Sequence, residues 1–170
     1  MATAPGWVRQ LVFGISTVEV TFARRGFLPG NPARRERFER IGRGFLAGYH
    51  AAVRENLVVA LGRRLDDVDP ELRGFAYEGA AMALALRDAF SVRRRRLRIF
   101  FENLADPCVY TAHVGVGWAQ ARLPAALRAR VSAEDPLLRW LAVDGTGFHE
   151  GYFHWRRTIR DRKAPAQQAR

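Results

Sequence analysis

Apolar residues return at helical spacing along most of this chain, and that pattern fixes a fold reading before any chemistry is considered. Phe38, Ile41, Phe45, Tyr49, Val53 and Leu57 form one stripe opposite the charged Arg35, Glu36, Arg40 and Arg43, which predicts an amphipathic helix. Asn31 supplies its N-cap and Pro32 its first position, and the stripe carries the helix to about Leu61. Asp69, Pro70 and Glu71 open a second helix through Phe75, Tyr77, Ala80, Met82, Leu86 and Phe90. It is apolar around much of its circumference, so it is expected at the centre of the fold. Ser91 is read as capping a more polar helix with Leu97, Phe100, Phe101 and Leu104, and Asp106-Pro107 introduces a third apolar segment over residues 109–121.

Pro124 and Pro136 punctuate two shorter helices, the second ending near Val143. Residues 145–147, Gly-Thr-Gly, then open the last helix, which runs out in Arg156, Arg157, Arg160, Arg162 and Lys163. At the other end Trp7, Val8, Leu11, Val12 and Ile15 recur at helical spacing weakened by Gly14, while Val18, Val20 and Phe22 alternate with Glu19 and Thr21. That segment is ambiguous, and residues 26–32 after it read as a loop. The sum is an all-α fold, a compact bundle of about six or seven helices with a short irregular N-terminal segment. Residues 1–162 form a single domain, and residues 163–170, which lack a large apolar side chain, read as a polar tail or linker.

Composition narrows the classes. With 170 residues, 48% of them hydrophobic, the chain can bury one substantial core without metals or disulfides. Its single cysteine, Cys108, cannot form an internal disulfide, so a reducing, cytoplasmic location is expected. Cys108 has no nearby base and reads as a small buried apolar residue, not a nucleophile. Arg87 and Asp88 interrupt the longest apolar stretch, which argues against a transmembrane segment. The balance of 28 basic against 17 acidic residues gives +11 and favours anionic partners: nucleic acid, acidic lipid, phosphorylated substrates or an acidic carrier protein. The densest basic run, residues 93–96 followed by Leu97 and Arg98, lacks interleaved aromatics, a glycine-rich loop or a recognition-helix signature. A solvated or partner-facing surface is expected there, and specific nucleic-acid binding is not.

Candidate chemistry concentrates in residues 144–154, Asp-Gly-Thr-Gly-Phe-His-Glu-Gly-Tyr-Phe-His, where two histidines, two carboxylates and three glycines crowd together. His149 and His154 are five apart, roughly 140° around a helix, so they do not make the zinc pair of H-E-x-x-H. Glu150 and His154 are four apart and can pair on one face, either as local helix support or as part of a site. His113 and Glu78 each interrupt an apolar segment and need a polar partner if buried. Convergence of Glu78, His113, Asp144 and His149 in one pocket is therefore the sharp catalytic hypothesis, with Glu150 a further candidate and a satisfied structural network the plain alternative. Aromatic walls at Phe75, Tyr77, Trp118, Phe148 and Tyr152, with His154, make the candidate ligand-binding set, although core packing explains such rings too. The chain lacks the Glu-x-x-His pairs of helical di-iron proteins, so no metal set is assigned, and the cofactor is left unknown.

Several longer motifs carry a family likeness: V-E-V-T-F-A-R-R-G-F at residues 18–27, F-A-Y-E-G-A-A-M-A-L-A-L at 75–86, H-V-G-V-G-W at 113–118, residues 136–141, and residues 144–154. Across nearly its whole length the chain resembles the amino-terminal half of the bacterial domain-of-unknown-function 1702 (DUF1702) proteins. The resemblance implies a helix-rich fold and a context in gene neighbourhoods for enediyne and other specialised metabolites, and it supplies no residue roles. Family members usually continue into a second half of similar size, so the resemblance leaves two expectations: a natural short form, or a fragment whose pocket is completed by a missing half or a second copy of the chain. The expected function is an accessory protein of enediyne or polyketide-type biosynthesis that holds an apolar small molecule between helices. An enzyme using a His/carboxylate acid-base pair, and a basic module for an acidic carrier protein or nucleic acid, are the alternatives.

Overall fold

A computed structural model describes residues 4–92, 95–131 and 135–163. Nine α-helices follow in chain order among them: α1 (Gly6–Phe13), α2 (Phe22–Arg25), α3 (Pro32–Arg54), α4 (Val58–Asp66), α5 (Arg73–Ala89), α6 (Arg96–Asn103), α7 (Val109–Arg122), α8 (Ala125–Arg128) and α9 (Arg139–Phe153). Single 3-10 turns lie at Thr17–Val20 and Asp106–Cys108, and a π-helical turn at Arg156–Arg160. The described residues hold no strand, so the fold is all-α as the periodicity requires. The N-terminal segment is less irregular than expected, with one full helix in α1 before the short turns.

Four helices make the frame, and they are neighbours in space in the order α3, α5, α7, α9. Glycines explain why they pack so closely. A Cβ at Gly48 of α3 would stand 1.8 Å from the Ala76 carbonyl oxygen of α5, and one at Gly79 of α5 would stand 2.0 Å from that of Phe45. In α7, Gly115 meets the Glu78 carbonyl of α5 while Gly117 meets the Ala142 carbonyl of α9. Two residues apart on a helix are roughly 200° apart, so this pair serves opposite faces of α7 and places it between its neighbours. Gly145 of α9 completes the contact at the Val114 carbonyl. The alanine-rich α5 is buried without interruption from Ala76 to Ala89, and α4 and α6 also pack against it.

The starts of the long helices are local matters. The Asn31 side chain accepts from the Ala33 and Arg34 N–H groups at 2.9 and 3.2 Å, and Asp69 accepts from Glu71 at 3.0 Å to open the turn leading into α5. Their ends are not local. The helix expected to reach Leu61 stops at Arg54, because two distant arginines take its terminal carbonyls: Arg9 donates to Val53 and Arg54, and Arg87 donates to Ala52 and Glu55. Leu57 accordingly falls off the buried stripe and is exposed. Asp88 accepts the Leu97 N–H at 3.0 Å and so caps α6 from the preceding helix. The break expected around residues 143–147 is also absent. α9 runs unbroken through Gly145 and Gly147, since Gly145 serves close approach to α7 and neither glycine adopts a positive φ.

Candidate functional site

One face of this helical layer is concave and roofed by the segment between α1 and α3. The cavity between roof and layer holds about 480 Å³. Its floor and walls come from Phe38, Ile41, Phe45 and Leu46 of α3, Phe75, Glu78 and Met82 of α5, Val114 and Trp118 of α7, and Asp144, Phe148, Tyr152 and Phe153 of α9. Ile15, Glu19, Val20, Phe22 and Phe27 form the roof, and Arg122 also borders the space. Phe38, Asp144 and Phe148 are exposed and mark its mouth, whereas Glu78 is only 7% exposed.

The roof is tied down at both ends. The Tyr49 hydroxyl donates to the Phe13 carbonyl at 2.7 Å, His50 Nε2 lies 2.9 Å from the Ile15 carbonyl, and the Phe22 N–H donates to Glu39 at 3.0 Å. Gly42 leaves room for Val20, whose Cβ would be 2.6 Å from a Cβ at that position. Gly26, at φ +66°, turns the chain out of α2 in the left-handed region that favours glycine. From the far end of the chain the Trp155 indole donates to the Arg25 carbonyl at 2.9 Å, and the Arg25 guanidinium sits 4.7 Å over the Phe153 ring. Trp118 is the hub of the wall, with ring centroids 5.1 Å from Phe45, 5.5 Å from Phe148 and 6.0 Å from Tyr152.

Glu78 is the polar feature of the interior. Burial, with Asp144 adding like charge, pushes its carboxyl up from the usual range to about 7. The Trp118 indole N–H lies near enough to favour the ionised form, without meeting hydrogen-bond geometry. The carboxyl therefore sits near the midpoint of its titration at neutral pH, in a largely apolar cavity whose other charged groups are Glu19, Asp144 and Arg122.

Among the sequence-predicted residues, Glu78, Asp144, Phe75, Trp118, Phe148 and Tyr152 share this cavity. Others lie elsewhere. Tyr77, one residue and roughly 100° around α5 from Glu78, packs instead against Phe100 with centroids 5.8 Å apart. His113 packs on Phe101 at 4.6 Å, and its Nδ1 lies 2.7 Å from the Val109 carbonyl of its own helix, while its Nε2 is buried without a hydrogen-bond partner among the described residues; it does not line the cavity with Glu78. His149 sits behind the wall against Trp118 and Phe153. Burial, then Arg122, hold its imidazole well below the usual pKa, so the ring is neutral. Glu150 lies beside it at 3.6 Å, beyond hydrogen-bond reach, and accepts from Arg157 at 2.9 Å while His154 Nδ1 lies 3.1 Å away. His149, Glu150, His154 and Arg157 thus make a second polar cluster outside the cavity. No group of three or more His, Cys, Asp or Glu side chains among the described residues is placed to hold a metal ion.

The roof and the α3 wall are what the sequence did not assign to a site. Phe38, Ile41 and Phe45 read as a core stripe, Phe22 and Phe27 appeared only in the alternating segment and the family motif at 18–27, and Arg122 gave no signal; helix periodicity identifies an inward face without saying whether the space before it is filled. The basic run at 93–96 lies partly outside the described residues, and within it Arg96 pairs with the buried Asp88 at 3.0 Å. No described helix is long and apolar enough to cross a membrane. Comparison with curated proteins and with solved structures gave no match. A family model described as "Protein of unknown function (DUF1702)" matches residues 4–169, and on that coverage the chain belongs to the DUF1702 family.

Proposed function

We propose that this protein binds an apolar small molecule between its helices, as an accessory protein of bacterial specialised metabolism of the enediyne or polyketide type. The observation that carries the reading is the cavity of about 480 Å³, walled by aromatic and aliphatic side chains from all four layer helices and furnished with very few polar groups. Small-molecule sites have this form, a largely apolar concavity of a few hundred cubic ångströms with a small number of orienting polar groups. The metabolic context is taken from the family resemblance, as is the correspondence to the amino-terminal half of longer members. On that reading a second half or a second copy is the macromolecular partner, and the setting is cytoplasmic.

One observation favours a second reading, an acid-base enzyme. Glu78, with its pKa near 7, has the proton affinity that a general acid or base at neutral pH requires, and Asp144 is its companion at the mouth. The His/carboxylate pair of that alternative is less well supported, because His149 and Glu150 stand outside the cavity.

Native mass spectrometry of the protein isolated from metabolite-producing cells tests the first reading. The expected spectrum contains the chain plus one small molecule, and Phe45→Arg, which puts a charged side chain into the wall, loses that adduct. A bare chain from producing cells, with no thermal shift from any fraction of their extract, would overturn it.

A further inference from the structure

We propose that the cavity selects a lipophilic cation, an amine or quaternary ammonium on an apolar body, with its positive group held between Glu78 and Asp144 among the aromatic rings. This rests on the reading of the cavity as a ligand site and names the chemical class of its occupant.

The charge distribution carries the argument. The chain has 28 basic residues against 17 acidic, yet the cavity is bordered by three carboxylates and one arginine. Glu19 is already paired with Arg24 and Arg25 in the roof. Arg122 lies over the Phe153 ring at 5.5 Å. Glu78, 93% buried on its 7% exposure, has no ion-pair partner and no well-formed hydrogen bond among the described residues, and Asp144 has no ion pair there either. A carboxyl withdrawn from water either keeps its proton or gains a counter-charge, and among the described residues no arginine pairs with Glu78. The space beside Glu78 is open cavity, so a ligand can bring the missing charge.

The walls fit the same occupant. Phe45, Phe75, Trp118, Phe148 and Tyr152 surround the two carboxylates, and ring faces attract a desolvated cation. Arg25 over Phe153 shows a ring of this wall already used in that way. The buried Trp118 N–H, itself unpartnered, points the local field toward an ionised Glu78. A carboxylate ligand would meet two like charges, and a neutral one would leave Glu78 holding its proton, without the charge–charge gain that a cation brings. The remaining charged groups facing the space are Glu19 from the roof and Arg122 from α7, while α3 contributes no titratable side chain to the lining.

Three probes with the same ten-carbon chain separate the possibilities: decyltrimethylammonium and decanoate below their micelle concentrations and decanol below its solubility limit, each titrated by calorimetry. The overall charge of +11 favours decanoate at long range, so a cation preference cannot arise from general electrostatics. The expected result is one site that binds decyltrimethylammonium about ten-fold or more tighter than decanol, with decanoate weakest. Glu78→Gln and Asp144→Asn should each abolish most of that preference and leave decanol binding intact. Cation binding should also weaken as pH falls below about 7, where Glu78 takes up a proton. Asp144 is exposed, so its variant serves as the test should Glu78→Gln fail to fold. Decanol or decanoate binding as tightly as the cation, or a preference untouched by these substitutions, would overturn the inference and leave the apolar site standing. Failure of all three probes to bind would overturn both.

Discussion

Adding one methyl group at Gly48 should disrupt the central contact of the fold. Its Cβ would lie 1.8 Å from the Ala76 carbonyl oxygen, 2.5 Å from the carbonyl carbon and 2.7 Å from Cα. An ordinary C···O contact is about 3.3 Å, so α3 and α5 must part by about 1.5 Å. All three obstacles are backbone atoms of Ala76 within α5, and no rotamer change relieves them. Overpacking a core typically costs about 1–3 kcal/mol, and backbone that cannot yield puts Gly48→Ala at about 3 kcal/mol or more. The gain in helix propensity offsets less than about 1 kcal/mol of that. At about 2–4 °C per kcal/mol for a chain of this size, Tm should fall by about 5–10 °C. Gly147 is the control. A Cβ there meets nothing within 4 Å, so Gly147→Ala should stabilise α9 by about 0.5–1 kcal/mol. Thermal and urea unfolding followed by circular dichroism measure both. A Gly48→Ala protein as stable as the wild type, with an unchanged m value, would refute the packing argument; equal destabilisation by the two substitutions would show that space is not what the glycines provide.

Three further outcomes follow from side chains. Glu78 is raised from 4.5 to about 7 in the fold, so the folded state holds more protons between those values, and stability should decline as pH rises through that window by on the order of 3 kcal/mol at most. Buried neutral His149 works in the opposite sense, with stability lost as pH drops below about 6.5, so the difference between wild-type and Glu78→Gln urea midpoints isolates the Glu78 slope; identical slopes would contradict its burial. Arg87→Met should cost about 2–4 kcal/mol and speed amide exchange at the end of α3, because it strips partners from the Ala52 and Glu55 carbonyls; protection unchanged there would show that water replaces the guanidinium. Trp155→Phe keeps a ring against Phe27 but loses the bond to the Arg25 carbonyl, and should speed release of a cavity probe by about five-fold in stopped-flow fluorescence, whereas an unaltered rate would mean that the roof does not gate the cavity.

What the sequence made legible follows from how local each determinant is. Asn31-Pro32 and Asp69-Pro70 announce helix starts because the capping oxygen lies within three residues of its donor. The end of α3 is invisible at that range, since Arg9 and Arg87 arrive from 32 to 45 residues away. Gly145 and Gly147 look like a helix break because glycine both stops helices and admits close neighbours, and only the contact with Val114 decides between those roles. The crowding at residues 144–154 did mark cavity-lining positions, but its parts diverge. Once α9 is continuous, Asp144, Phe148 and Tyr152 fall four apart on the face that lines the cavity. His149, Glu150 and His154 fall on other faces and form their own cluster. A wrong break between Val143 and Gly147 hides that phase, and with it the separation of Asp144 from His149.

An apolar ligand seated against the α5 wall has a direct spectroscopic reporter in Met82. The chain holds two methionines, Met1 and Met82, and Met82 lines the cavity while only 1% exposed to solvent. Protein labelled with 13C at the methionine methyl groups gives one resonance for each. Titration with decyltrimethylammonium, decanol, or the molecule retained from producing cells should shift the Met82 signal in a saturable way, at one equivalent. A ligand that raises thermal stability while the Met82 resonance stays in place would contradict the account, because the molecule would then be bound somewhere other than this cavity.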